Sequence, residues 1–295
     1  MLSEIKKNFK RLFFKKEISP NIDIVEEHYL KYDKSNIYRT NTIQNIPRRK
    51  YRIGGKKSYA EWAHVIGIFQ SLIYLNLTKK ENNKILDIGC GTGLLAMSSQ
   101  NYVNDKGYYL GLDVVKENID FCNTHYRNPN LKFMHFAVNN AMYSAQQQVK
   151  RKKWNVESGS FDMVTALSVW THFNEEDAIF YLKEVERVLK NGGKAIITFF
   201  RLDDVYYDSL KIRKDEKGKF HNTKQNIWIF DKNAYNSENW LYPSHLKVPE
   251  NAIGITEKGI EILLKTSGLK LVNYYAGNWK EISGLYFQDV LIFEK

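Results

Sequence analysis

Apolar positions between residues 84 and 200 come in two kinds of run. Short stretches rich in Ile, Leu, Val, Phe and Tyr cover 84–88, 108–113, 131–138, 161–167 and 194–200. Between them lie segments compatible with helices: 94–102, 116–126, 141–149 and 174–189, the last with Ile179, Leu182, Val185 and Leu189 on one face. Strand-length runs alternating with helical periods predict an α/β fold, a doubly wound parallel sheet with helices on both faces. Punctuation supports the boundaries. Asn128-Pro129-Asn130 stops the helix at 116–126, because proline cannot extend a helix and restricts its predecessor. Asn174 can cap the next helix, with Glu175, Glu176 and Asp177 at its positive end. Asn191-Gly192-Gly193 is expected to end that helix through a left-handed glycine.

The rhythm differs outside this region. Tyr59 to Leu77 reads as a helix that buries Trp62, Val65, Ile66, Phe69 and Ile73. Residues 201–255 are charged and aromatic, with Trp228, Trp240, Tyr242, Pro243 and Pro249. A stretch this long inside a compact domain is usually functional or a small subdomain, and it is expected to form a cap over the ligand side. Thr256 to Ser267 returns to helical spacing and stops at Gly268. Residues 269–275 and 286–293 are expected to close the sheet as an antiparallel pair.

Charge changes the picture at one end. The 295-residue chain carries 44 Lys/Arg and 33 Asp/Glu, a net +11. Residues 1–57 hold 15 of the bases and 6 of the acids, so the remainder is nearly neutral. The expected organisation is a basic extension and linker over 1–57, then one domain over 58–295 with the insertion 201–255. A nucleic-acid groove is not expected, since it needs positive charge spread over the domain. Residues 2–16 place Leu2, Ile5, Phe9, Leu12 and Phe13 at helical spacing among lysines. Such a basic amphipathic helix either packs on the domain or lies on an anionic membrane. The basic run Lys150-Arg151-Lys152-Lys153 reads as a solvated loop. Cys90 and Cys122 are expected to stay reduced, in keeping with the cytoplasm, peripheral to the membrane if the N-terminal helix binds it. The histidines and cysteines show no zinc spacing, and no paired carboxylates suggest another metal. There is no G-x-S-x-G for a serine nucleophile.

The chemistry gathers at Lys84-Ile85-Leu86-Asp87-Ile88-Gly89-Cys90-Gly91-Thr92-Gly93. A strand, a glycine turn and a helix start let a ligand touch backbone at the strand's carboxyl end. Helix N–H groups would face it. The glycines run G-x-G-x-G with an acid two residues before them, unlike the dinucleotide fingerprint G-x-G-x-x-G. A second strand ends in Leu110-Gly111-Leu112-Asp113, where a carboxylate can accept from both hydroxyls of a ribose.

Together with Phe161-Asp162-Met163-Val164, Ser168-Val169-Trp170-Thr171-His172 and Val188-Leu189-Lys190-Asn191-Gly192-Gly193, these motifs resemble the class I S-adenosylmethionine-dependent methyltransferases over roughly residues 57–295. The segment at 168–173 and the C-terminal Gly277-Asn278-Trp279 and Tyr286-Phe287-Gln288-Asp289 resemble a bacterial-type group often found in surface-glycan and secondary biosynthesis. The resemblance implies a Rossmann-like methyltransferase sheet, S-adenosyl-L-methionine as cofactor, and transfer of a methyl group to a hydroxyl or amine of a glycan-like or small polar acceptor. It implies that Gly89, Cys90 and Gly91 meet the cofactor by backbone. Asp87 would orient the loop or bind the cofactor's amino group. Asp113 would hold the ribose, with Val114 against the adenine. Many members hold the adenine amino group with an acid after the third strand. This chain has Val138-Asn139-Asn140 there, so Asn139, Asn140 or the Val138 backbone must serve. Leu167 and Ser168 are expected on the methionine side. Tyr59 and Arg52 are candidates to close the site.

An alcohol acceptor must lose a proton, so a base helps. His172 leaves the fourth strand at the sheet's carboxyl edge and is the candidate, with a packing role as its alternative. His221 and His245 come next. Trp170, Trp228 and Tyr242 are candidates to exclude water. Two other functions compete. An NAD-dependent oxidoreductase could use a similar sheet, but the glycine spacing and the lack of a Tyr-x-x-x-Lys pair oppose it. A cofactor-binding regulatory protein with a decayed catalytic side is the third reading.

Deleting residues 1–16 is expected to leave cofactor binding intact and to reduce sedimentation with anionic liposomes at low salt. A full-length chain that does not sediment with them would end the membrane reading.

Overall fold

The computed structural model describes residues 45–137 and 151–295. The expectations for residues 2–16, for Val138 and Asn139, and for a helix at 141–149 therefore lie outside the described residues. In chain order the main elements are α1 (Tyr59–Asn76), β1 (Lys84–Ile88), α2 (Leu94–Ser99), β2 (Tyr108–Asp113), α3 (Lys116–His125), β3 (Leu131–His135), β4 (Phe161–Ala166), α4 (Glu175–Val188) and β5 (Leu189–Phe199). They continue as β6 (Arg201–Leu202), α5 (Asp204–Leu210), β7 (Lys232–Asn233), β8 (Trp240–Tyr242), β9 (Gly254–Thr256), α6 (Glu257–Ser267), β10 (Lys270–Tyr275) and β11 (Asp289–Glu294).

Seven strands form the main sheet in the order β10-β11-β5-β4-β1-β2-β3. β11 runs antiparallel to both neighbours, while β1 to β5 pair in parallel. The strand order reverses between β1 and β4, and such a switch point leaves a crevice at the strands' carboxyl ends. One face of the sheet packs under α1, α2 and α3, around Trp62, Phe69, Leu95 and Tyr109. The other packs under α4 and α6, around Phe161, Leu182, Phe199 and Leu263.

Local chemistry explains the helix ends. Ser58 caps α1 by accepting from the Glu61 amide, Asn174 caps α4 through Asp177, and Thr256 caps α6 through Gly259. Gly268 closes α6 at φ +78, in the left-handed region that glycine enters without a Cβ clash. The expected glycine cap on α4 does not form. That helix stops at Val188, and Leu189 is already extended, paired with Phe161 of β4. Gly192, at φ +74, sits inside β5, where the register against β4 shifts and its amide reaches the Lys295 carbonyl. Sheet pairing captures the segment before the glycines can turn it.

The insertion after β5 builds its own small sheet, β6-β9-β8-β7, over a third cluster that includes Phe200, Tyr206, Phe230 and Trp279. A buried polar knot ties it to the main sheet. The fully buried Lys280 ammonium lies 2.8 Å from Asp203 and 3.0 Å from Asp289 of β11, and donates to the Tyr274 hydroxyl. Asp289 also accepts from the Gly277 and Arg201 amides and the Trp279 indole. Asp203 in turn caps α5. Breaking a buried pair from one side leaves an uncompensated charge. Lys280→Met is therefore expected to cost about 3–5 kcal/mol in urea unfolding. A loss below about 1 kcal/mol, the scale of an exposed pair, would show that the knot does not hold the insertion.

Candidate active site

The crevice at the switch point opens into a cavity of about 680 Å³, within the roughly 300–1,000 Å³ usual for small-molecule sites. Its walls come from the loops after β1, β2 and β4, from the start of α4, from residues 53–56, and from Tyr235 and Glu250 of the insertion.

The loop after β1 is fixed by β2. The Cys90 amide donates to the Leu112 carbonyl, and the Gly91 amide donates to Asp113 at 2.8 Å. The other Asp113 oxygen accepts from the Val115 amide at 2.8 Å. Gly89, Gly91 and Gly93 all have positive φ, and a Cβ on Gly93 would stand 2.4 Å from the Tyr126 ring. Burial pushes the Asp113 carboxyl up, opposed by those amides. Residues 45–57, expected as a lead-in, lie against this loop: Thr92 donates to the Tyr51 carbonyl and Tyr51 stacks on Phe121.

Asp87 is buried on the cavity wall and accepts from Tyr109 at 2.5 Å and Thr165 at 2.8 Å. Burial drives its pKa up to about 7 despite these two donors. A cation at its open side would restore the charged form. Burial also pushes the Cys90 thiol up, which removes it as a thiolate, and both cysteines are free.

After β4, Leu167, Ser168 and His172 all reach the cavity. Ser168 has φ +59, a left-handed conformation costly for a residue with a Cβ. Its amide donates to Thr198 and its hydroxyl to Gln288, so those bonds hold the turn. His172 is half-buried, and its Nδ1 lies 2.6 Å from the Glu250 carbonyl. A carbonyl only accepts, so Nδ1 carries the hydrogen and Nε2 keeps the lone pair of the neutral ring. Burial lowers the His172 pKa, partly opposed by Glu250.

Gly89, Cys90, Gly91, Val114, Leu167, Ser168, Asp87, Asp113 and His172 thus share one cavity. Tyr59 does not line it. Its ring is buried beneath Arg52, whose guanidinium holds the Pro47 and Lys57 carbonyls, while Ile53, Gly54 and Lys56 form the wall instead. Trp170 is fully buried behind the wall, and Trp228 packs on Phe200 and Phe287 within the insertion's own cluster. Tyr242 also lies off the wall, and His221 pairs with Glu281 away from it. Sequence reasoning missed Phe136, Arg151, Trp154, Tyr181, Tyr235 and Glu250, which are on the wall. Arg151, expected in a solvated loop, pairs with Asp177 and Glu176 of α4. The cap residue Asn174, two residues past His172, was the available signal that the start of α4 faces the ligand. Among the described residues no cluster could hold a metal ion.

Fold and loop together define a class: the Rossmann-like sheet of methyltransferase type. Residues 86–197 match the family model described as "Methyltransferase domain", and the cofactor of this domain is S-adenosylmethionine. The site fits that group: two wall carboxylates, Asp87 and Asp113, for an ammonium and hydroxyls, a glycine backbone, and apolar wall at Leu112, Val114 and Phe136. Among relatives, the arsenite methyltransferase of Mus musculus is 29% identical over 137 residues, 46% of this chain and 34% of that one. The ubiquinone biosynthesis O-methyltransferase of Pelagibacter ubique (strain HTCC1062) is 30% identical over 113 residues, 38% of this chain and 40% of that one. The matches thus span less than half the length of these relatives. A solved S-adenosylmethionine-dependent methyltransferase from Mesorhizobium loti superposes with a TM-score of 0.51 at 14% identity, covering 76% of this chain and 96% of that one. The PH0226 protein from Pyrococcus horikoshii OT3 gives 0.51 at 18%, covering 79% and 91%. These likenesses support the fold.

Asp113→Ala is expected to weaken S-adenosylhomocysteine binding by about 1.5–3 kcal/mol in calorimetry, the range for hydrogen bonds to a charged group. An unchanged affinity would place the ribose acid elsewhere.

Proposed function

We propose that the protein transfers a methyl group from S-adenosylmethionine to a hydroxyl or amine of a small polar or glycan-like acceptor. The observation that carries this is a histidine whose Nδ1 is held by the Glu250 carbonyl, leaving Nε2 the lone pair, in the same cavity as the glycine loop and Asp113. When bound, the cofactor supplies an activated methyl group on a sulfonium. The chain's part is to bind, align and deprotonate. Asp113 takes the ribose hydroxyls, and Asp87 takes the amino group, whose charge favours the ionised carboxylate. The Gly89–Gly91 backbone approaches the amino-acid and ribose portions. Val114 and Phe136 would provide apolar wall for the purine, with Val138 or Asn139 as candidates for its amino edge. Leu167 and Ser168 line the methionine side.

His172 Nε2 receives the acceptor proton. Its lowered pKa keeps the ring neutral at pH 7, as a base must be. The hydrogen bond from Nδ1 to the Glu250 carbonyl fixes both the tautomer and the ring's aim. Methyl transfer needs an in-line approach, so alignment contributes alongside the base. The named activities of the relatives differ, from arsenite to ubiquinone biosynthesis. The acceptor therefore has to be read from this chain's own wall. A peripheral membrane contact through the basic residues 1–16, whose apolar positions fall at helical spacing, belongs to this reading.

His172→Ala is expected to leave cofactor affinity within a few-fold and to lower turnover by about 10²–10⁴. In the wild type the acid limb of turnover should fall below the ordinary histidine range, because the base loses function only when protonated. A limb at or above that range, or full turnover in a folded His172→Ala protein, would remove His172 as the base.

A further inference from the structure

Glu250 is 4% exposed and stands on the cavity wall. One of its oxygens, Oε1, accepts from the Tyr235 hydroxyl. The other, Oε2, is buried and has no partner among the described residues. Of the buried side-chain polar atoms in that condition, it alone belongs to a charged group and to the cavity wall. The other wall carboxylates are engaged. Asp87 has Tyr109 and Thr165, Asp113 has two amides, and Asp177 has Arg151 and Asn174. A buried charged oxygen left unmatched is costly, and a structure tolerates it most readily where a ligand supplies the donor.

The surroundings narrow that ligand. Arg151, the wall guanidinium, is committed to Asp177 and Glu176. Phe173, Tyr181 and Trp154 stack in succession on the same wall, with ring centroids 5.1 and 5.7 Å apart, and Tyr235 adds a fourth ring. Aromatic rings in the same cavity as a carboxylate oxygen with no partner among the described residues suit a cation. A neutral hydroxyl would satisfy the hydrogen bond but leave the charge buried. Tyr235 and Asn236 both have positive φ, +54 and +73, so a strained turn carries the Tyr235 hydroxyl to Glu250.

We infer that Glu250 Oε2 is the recognition point for a protonated amino group on the acceptor, with the aromatic wall holding the acceptor's apolar body. The inference rests on the cavity being the acceptor site of the proposed methyl transfer. It concerns how the acceptor is held and leaves open which of its atoms is methylated.

The test uses the full chain loaded with S-adenosylhomocysteine and three probes of one shape: 2-phenylethylamine, 2-phenylethanol and phenylacetate, titrated at neutral pH. The amine is expected to bind about tenfold or more tightly than the alcohol, and the acid not measurably, since each tenfold is about 1.4 kcal/mol and a charged hydrogen bond supplies at least that. Glu250→Gln should remove the amine's advantage while leaving alcohol and S-adenosylhomocysteine binding within about twofold, well under one such step. Equal binding of amine and alcohol, no binding of the amine, or an amine affinity unchanged in Glu250→Gln would each overturn the inference. If Glu250→Gln does not fold, the wild-type comparison of amine with alcohol decides alone. If S-adenosylhomocysteine does not bind, the methyltransferase reading fails. The amine affinities of wild type and Glu250→Gln on the cofactor-free protein then still decide whether Glu250 recognises a cation, because Asp87 is common to both.

Discussion

The Asp113 carboxylate accepts from the Gly91 amide on one oxygen and from the Val115 amide on the other. That pair of bonds fastens the loop after β1 to the loop after β2, and the Cys90 amide on the Leu112 carbonyl reinforces it. Gly111 makes the approach feasible, since a Cβ there would stand 2.8 Å from the Cys90 side chain. A carboxylate has about four lone-pair directions. Two serve the loop amides and a third lies near the Asn118 side-chain amide at 3.4 Å, which leaves acceptor capacity for a ligand on the cavity side. The anion that shapes the cofactor loop is thus the one proposed to read the ribose. Loop geometry and ligand affinity are therefore not independent quantities in this protein.

The half of the cavity nearest β1 and β2 was legible in the sequence because it is local. Asp87, Gly89, Gly91 and Asp113 sit at strand ends, and strand ends are what alternating apolar runs reveal. Where the sequence failed, longer-range contacts had won. Asn191-Gly192-Gly193 has the composition of a helix stop, but β4 pairs with Leu189 and extends the chain first. Tyr59 opens a helix near the site, yet Arg52 covers it and the preceding residues take the wall. Arg151 belongs to a basic run with the composition of a solvated loop, but α4 offers it Asp177.

The opposite half is assembled from residues distant in sequence, and no spacing rule could have joined them. His172 and Glu250 are 78 positions apart, linked by one ring nitrogen and one carbonyl. The insertion was recognisable as a structured unit from its aromatic content. Which of its residues face the ligand was not. The aromatics chosen from sequence, Trp228 and Tyr242, went into packing, while Tyr235 and Glu250 reached the wall. The Lys280 knot helps tie the insertion to the main sheet, through side chains from three separate segments.

The place of β11 has a consequence for how the chain is made. Among the described strands it comes last in sequence order, yet it lies between β5 and β10, inside the sheet. While the ribosome is still producing the insertion and α6, β5 therefore has an open edge. Its Ala195, Ile196, Ile197 and Phe199, all fully buried in the finished sheet, wait for a partner not yet synthesised. An unpaired apolar strand edge is a template for pairing with other chains. The nascent protein thus passes through a stage in which its cofactor loop can already be formed and its sheet cannot be closed. Association with a holding chaperone has its clearest physical target at that stage.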